Sequence, residues 1–267
     1  MIADIIRNRR SVRTFDGRPL TADDRSKIEA YIASVGNPFG IPVAFRLLDA
    51  APNKLTSPVI VGAEQYVAAK VRREPGFELA LGYSFERFCL YAASLGIGTV
   101  MLAATLSRDT FEAAISVGPD EVMPVASPIG YPAAKKSVRE TLMRKGIRAD
   151  ERLPFESICF KGDLKTPLPA AEAGALREGL ELTRLAPSAA NKQPWRMVLS
   201  DGMVHFYECR TVRESPLGDV QKVDMGIALC HFDLALKDQG VEHDFVCADP
   251  GIDAPDGTFY VISCELK

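Results

Sequence analysis

The sequence predicts an α+β fold whose two halves pack across a shared core, and three observations predict it. LGYSFERFCLYAASLG (Leu81–Gly96) aligns with MGIALCHFDLALKDQG (Met225–Gly240) at a constant shift of 144 residues, pairing Gly82 with Gly226, Phe88 with Phe232, Leu90 with Leu234 and Gly96 with Gly240. Both segments are apolar almost all the way round, the pattern of helices buried in a core or an interface. The elements around them also recur in one order: helix, strand, strand, buried helix, late strand.

Each element has a local reason. Ile2–Asn8 carries Ile5 and Ile6 ahead of a basic cluster and reads as a short helix. Asp23–Val35 is a helical stretch leading into the apolar run Pro42–Leu47, and SPVIVGA (Ser57–Ala63) is the next strand-like run. The buried helix then ends at Gly96, where a C-cap glycine belongs. In the second half Glu172–Leu185 leads to Pro194–Leu199, then MVHFYEC (Met203–Cys209), then the second buried helix. Val122–Ile129 and Thr258–Leu266 are the late strands. Lys135–Arg152, with seven Lys or Arg and three Asp or Glu, precedes Pro154 and Gly162-Asp163 and marks the crossover. The repeats are therefore expected at residues 1–150 and 151–267.

Composition narrows the function. A chain of 267 residues, 47% hydrophobic and 25% charged, has the make-up of an ordinary globular protein with one large domain or two small ones. Its 32 Lys+Arg against 35 Asp+Glu give a net charge of −3, which argues against bulk nucleic-acid binding and against an anionic membrane surface. Phe88–Ser107 has no charge over 20 positions, but Gly96 and Gly98 interrupt it and Glu86 and Arg87 sit just before it, so no membrane span is expected. Six cysteines form no CxxC pair and no zinc spacing; with no secretory signal, they are expected to be reduced core residues of a cytoplasmic protein. GxSxG, HExxH and Walker A patterns are absent, and His231 falls within a buried helix, where a satisfied core histidine is expected. A cofactor would have to carry the chemistry.

Three clusters bear on which cofactor. In ADIIRNRRSVRTF, an extended chain after the helix places Arg9, Ser11 and Arg13 on one face, two guanidinium forks and a hydroxyl suited to a phosphate. The same cluster also suits a solvated basic end complementing the helix dipole, its commoner use. LAPSAANKQPWRMV (Leu185–Val198) supplies Ser188, Asn191 and Gln193 on an irregular segment before Trp195, the single tryptophan. Such a loop suits a polar ring or a polyol chain, or simply a capped turn. SLGIGTVML (Ser94–Leu102) fails as a dinucleotide fingerprint and reads either as a close backbone approach to a ligand or as a C-cap and buried strand.

Together and in this order, the clusters resemble the flavin-dependent nitroreductase family. RRSVRTF is similar to its N-terminal phosphate-binding motif, and PSAANKQPW to its Pro-Ser-x-x-Asn-x-Gln-Pro-Trp loop. LGIGTVML, followed by PIGYPAAK (Pro128–Lys135), is similar to its late flavin-contacting segments. In that family the loop usually follows soon after the N-terminal motif, and two chains share two FMN sites. Here the expected place holds VGNPFGIPVAF, and the loop lies in the second half, whose own start (CFKGDLKTPL, Cys159–Leu168) lacks Arg-Arg-Ser-x-Arg. The chain thus resembles the fused type, with two tandem α/β repeats of nitroreductase-like fold packed as an intrachain pseudo-dimer that keeps one complete site.

The resemblance implies FMN as cofactor, NAD(P)H as electron donor and a small-molecule acceptor such as a nitroaromatic or a quinone. It implies Arg9, Arg10, Ser11 and Arg13 around the FMN phosphate, with Lys136 and Arg139 as further anion partners. Pro187, Ser188, Ala189, Asn191 and Gln193 would face the ribityl chain and ring, and backbone N–H groups around Gly98 and Thr99 the reactive edge. The family's frequent Trp near Met101 is missing. No side chain is required as acid or base, no metal is implied, and a monomer is expected. A flavin-binding protein with little turnover, or a ligand-free relic, are the competing expectations.

Overall fold

The computed structural model describes residues 1–267. In the first half, α1 (Ile2–Asn8) leads through an extended segment to α2 (Ala22–Ser34), whose N-cap Thr21 accepts from Asp24 N. Then come β1 (Val43–Asp49), α3 (Ala50–Asn53), β2 (Gln65–Arg72), α4 (Phe77–Ser94), β3 (Gly98–Thr99), α5 (Arg108–Ile115), β4 (Glu121–Val122), β5 (Ala126–Gly130) and α6 (Val138–Gly146). The second half holds β6 (Cys159–Lys161), α7 (Arg177–Arg184), β7 (Trp195–Ser200), β8 (Met203–Cys209), α8 (Val220–Asp238), β9 (His243–Val246) and β10 (Thr258–Leu266).

The two halves have the same topology. The first sheet runs β1-β2-β5-β3, with β4 also on β2; the second runs β6-β7-β8-β10-β9. Without β6, the second order is the first order again, strand for strand, and every one of these neighbours is antiparallel in both. β6 lies just past the crossover and joins parallel to β7 at the edge of the second sheet. No helix is long and apolar enough to cross a membrane.

α4 and α8 are buried nearly all round because each lies between its own sheet and the other helix. In the first half Phe85, Phe88 and Leu81 of α4 pack with Val67, Ala69 and Val71 of β2 and with Ile28 and Ile32 of α2. In the second, Phe232, Leu229 and Leu236 of α8 join Phe206, Met197 and Leu180. Ala3 and Ile6 of α1 belong to this second cluster, so the N-terminal helix crosses onto the other half.

The helices meet at the repeated glycines. A Cβ on Gly82 would lie 2.0 Å from the Val223 carbonyl oxygen, and one on Gly226 would lie 2.3 Å from that of Leu79. Val223 is Leu79 shifted by the same 144 residues, so the crossing is a near two-fold contact of backbone on backbone. Tyr83 Oη donates to Asp233 Oδ2 at 2.6 Å across it.

Four expectations are corrected. Ser57–Ala63 is a turn with a single bridge, Val61 to Thr14, and the strand is Gln65–Arg72 instead. That strand is central, with Val67, Ala69 and Val71 on one core and Tyr66 and Ala68 on another, so it has no polar alternation to reveal it. Val122–Ile129 divides into β4 and β5, and Glu172–Leu185 shortens to α7 behind two 3₁₀ turns. Cys89, Cys159, Cys230 and Cys264 are buried free thiols, but Cys247 is exposed.

Gly82→Ala and Gly226→Ala are each expected to lose more than about 3 kcal/mol or fail to fold, since backbone cannot move aside for the new methyl. Gly36→Ala, with nothing within 4 Å of its Cβ position, is expected to stay within about 0.5 kcal/mol of the parent. Denaturant unfolding of the three variants measures this.

Candidate functional site

The chain leaves α1 at Arg9 and runs extended beside β3, with Ser11 bridged to Thr99 and Val12 N donating to Thr99 O at 2.9 Å. Alternation then turns Arg9, Ser11 and Arg13 to one side, where all three line a cavity between the halves. Gly98 lines neither part of this cavity: a Cβ on it would stand 2.8 Å from the Cβ of Val12, which its absence admits. The glycine thus holds the arginine segment against β3, while Thr99 reaches the cavity.

One end of the space, about 230 Å³, is cationic, bordered by Arg9, Arg13, Arg144 and Arg152 with Ser11, Ser188 and Asn191. The adjoining space of about 420 Å³ is mostly apolar and shares Arg9, Ser11, Arg13, Ile147, Pro187 and Ser188 with the first. Met101, Leu102, Val125, Val223 and Ile227 form much of its wall, with Thr99, Glu86 and Asp224 as polar points. Val220, Val223, Asp224 and Ile227 recur at helical spacing, so one face of α8 forms this wall.

The arginines are short of partners. Arg9 Nε, Arg13 Nε and Nη1, and Arg152 Nε are buried and donate to no protein group. Burial, with Arg144 adding to it, pushes the Arg13 guanidinium below its usual range against the opposing pull of Glu140. Burial first, and then Arg9, push Arg152 down to about 10. Arg144 is tied to Asp150 by an ion pair, and Arg9 Nε has an ion-pair contact with Glu86 Oε1 at 3.4 Å. Buried guanidinium N–H groups left without an acceptor are costly, and an anion with several oxygens would relieve them together.

The loop after α7 is strained and braced. Ala190, Asn191 and Gln193 have φ of 47°, 56° and 49°, left-handed values that cost non-glycine residues free energy. Gln193 N donates to Ser188 Oγ at 2.8 Å, and Ala189 N donates to Asp224 Oδ2 at 3.0 Å. Burial raises the Asp224 carboxyl well above the ordinary aspartate range, Asp219 and Glu208 add to this, and the Ala189 N–H opposes it.

Not every expected residue faces the cavity. Pro187, Ser188 and Ala189 line it, Arg10 borders its cationic end, and Asn191 reaches that end but spends its amide on Arg148 O at 2.7 Å and Glu151 O at 3.0 Å. Gln193 lines neither space; its Oε1 accepts from Leu153 N at 2.8 Å. Both amides therefore clamp the crossover segment to the loop. Lys136 and Arg139 are exposed and outside both spaces, Arg139 donating to Pro58 O. The further cations are Arg144 and Arg152, which the crossover folds back over the cavity. Spacing did not mark them, whereas Glu86 and Asp224, acidic residues set among apolar ones in two buried helices, carried a usable signal. His231 is buried, with both ring nitrogens in hydrogen bonds.

The family model described as "Putative TM nitroreductase" matches residues 1–236. The crystal structure of "a putative nitroreductase" from Thermotoga maritima MSB8 is similar with a TM-score of 0.62, at 22% identity, over 99% of this chain and 93% of that one. A nitroreductase family protein from Clostridium novyi NT gives a TM-score of 0.43 at 16% identity, over 51% of this chain and 89% of that one. A nitroreductase with bound FMN from Bacteroides fragilis NCTC 9343 gives 0.41 at 16% identity, over 51% and 94%. No curated protein matches by sequence.

Asp224→Asn keeps an acceptor for Ala189 N and removes a buried ionisable group. A carboxyl whose folded-state value is raised costs stability as pH climbs above its unfolded value of 3.8. The variant is therefore expected to melt higher than the parent at pH 7, with the gap closing below pH 3.8. Scanning calorimetry across that range checks the sign. Asn191→Ala is expected to release the crossover, seen as faster tryptic cleavage after Arg148 and Arg152 with the rest of the chain intact.

Proposed function

The chain belongs to the nitroreductase family, and on that premise we propose that it is an FMN-dependent oxidoreductase passing electrons from NAD(P)H to a small electron-poor acceptor such as a nitroaromatic or a quinone. The observation that carries this is the joined cavity: arginines with buried donors that lack an acceptor at one end, an apolar slot at the other, with walls from both halves. That is the shape and charge of a ligand with a phosphate on one end and a flat apolar ring on the other. The motif resemblance around Arg9–Arg13 and Pro187–Trp195 supports the same ligand.

When bound, FMN supplies the two-electron carrier between donor and acceptor. On this reading Arg9, Arg13, Arg144 and Arg152 neutralise its phosphate, with the Ser11 and Ser188 hydroxyls as further donors. Pro187, Ser188 and Ala189 face the polyol and ring, and Met101, Leu102, Val125, Val223 and Ile227 keep water from the ring. The reading also takes residues 1–150 and 151–267 as the two repeats, and the chain as a cytoplasmic monomer with its partner surface built in.

Arg9→Ala and Arg13→Ala are each expected to weaken FMN binding by about 1.5–3 kcal/mol, the worth of a charged hydrogen bond. Lys136→Ala and Arg139→Ala are expected to leave it unchanged; fluorescence quenching of FMN measures all four. The reading as a whole is tested by absorption spectra of the FMN-supplied protein before and after anaerobic NADH and NADPH. A bleached flavin band supports a reductase. A bound flavin that stays oxidised points to the binding-protein alternative, and no bound flavin removes the reading.

A further inference from the structure

Glu86 and His231 lie under Arg9, one on α4 and one on α8. Glu86 Oε1 is 2.9 Å from His231 Nε2 and 3.4 Å from Arg9 Nε, while His231 Nδ1 is 2.9 Å from the Leu182 carbonyl oxygen. The two side chains are 1% and 0% exposed, so water does not mediate these contacts. A carbonyl only accepts, so Nδ1 carries a hydrogen. A neutral ring would then turn a lone pair on Nε2 toward the carboxylate at 2.9 Å, which is repulsive. One further proton therefore lies between Nε2 and Oε1, and the guanidinium beside that oxygen favours its lying on nitrogen.

On its Glu86 side the pair borders the ligand space. Glu86 lines the apolar cavity, and its Oε2 is buried without a protein partner. The other ionisable groups against it are Arg9 from the N-terminal segment, Cys89 on α4 and Cys230 on α8; α7 offers only the Leu182 carbonyl. Burial pushes both thiols up, so neither is a ready source of a proton.

We propose that Glu86, sharing a proton with His231, delivers it to the oxidant in the apolar cavity; the inference rests on the oxidoreductase reading above. Reduction of an uncharged quinone by a reduced nicotinamide moves one hydride equivalent, two electrons and a proton, and consumes one further proton to give the hydroquinone and oxidised nicotinamide. That further proton leaves the pair through Glu86, and one from solvent replaces it once product has left. Glu86 is the group that meets the ligand, and His231 is a positioning residue that acts through it.

Nitrogen-15 NMR of histidine-labelled, cofactor-free protein reads the pair directly, with His231 assigned by its absence in His231→Gln. The expected result is two protonated ring nitrogens in the parent and one in Glu86→Gln; a single one in the parent overturns the pairing. Anaerobic stopped flow of FMN-loaded protein separates the NADH step from the p-benzoquinone step. Glu86→Gln is expected to slow the quinone step about 100-fold more than the NADH step, the scale of general-acid assistance. Equal slowing of both steps assigns Glu86 to packing and overturns the delivery. A parent that binds no FMN removes the underlying reading and the delivery with it, while the NMR result stands by itself.

Discussion

Backbone contact between α4 and α8 at Gly82 and Gly226 is the constraint from which the rest follows. With no Cβ on either glycine, the helices approach until each meets the other's carbonyl oxygen. That closeness lets Glu86 on one helix reach His231 on the other, and Tyr83 reach Asp233. It also sets Glu86 and Cys89 of α4 beside Val220, Val223, Asp224 and Ile227 of α8 along one wall of the cavity. Any side chain at the crossing would separate the halves and open the space that they enclose.

The second organising feature is an imbalance of charge. The chain is slightly acidic overall, yet the cavity collects arginines from the N-terminal segment, α6 and the crossover, several with buried donors that meet no acceptor. A fold keeps such groups at a cost to its own stability, and a bound anion offsets that cost. Asn191 and Gln193 keep the crossover, and with it Arg152, against the loop. On the proposed reading, stability and ligand binding are linked through the same few side chains.

Much of this was legible in the sequence. The 144-residue shift located both crossing glycines and both buried helices, because close packing leaves only small residues at the contact. The period-2 face of Arg9, Ser11 and Arg13 survived because that segment is extended against β3. The central strand Gln65–Arg72 was hidden because both of its faces are buried, which erases alternation. Arg144 and Arg152 lie in the charged stretch that reads only as the crossover, since nothing local shows that it folds back. The amides of Asn191 and Gln193 have the chemistry of ligand donors, and only the fold shows that backbone groups of residues 148–153 use them first.

On the proposed reading, one chain completes one cofactor site between its own halves. Titrating FMN into protein whose particle mass is followed by sedimentation tests it most directly. One FMN is expected per 29.1 kDa particle, retained when the protein is diluted to single chains. Flavin that binds only to a two-chain particle, and is lost as that particle dissociates, would contradict it.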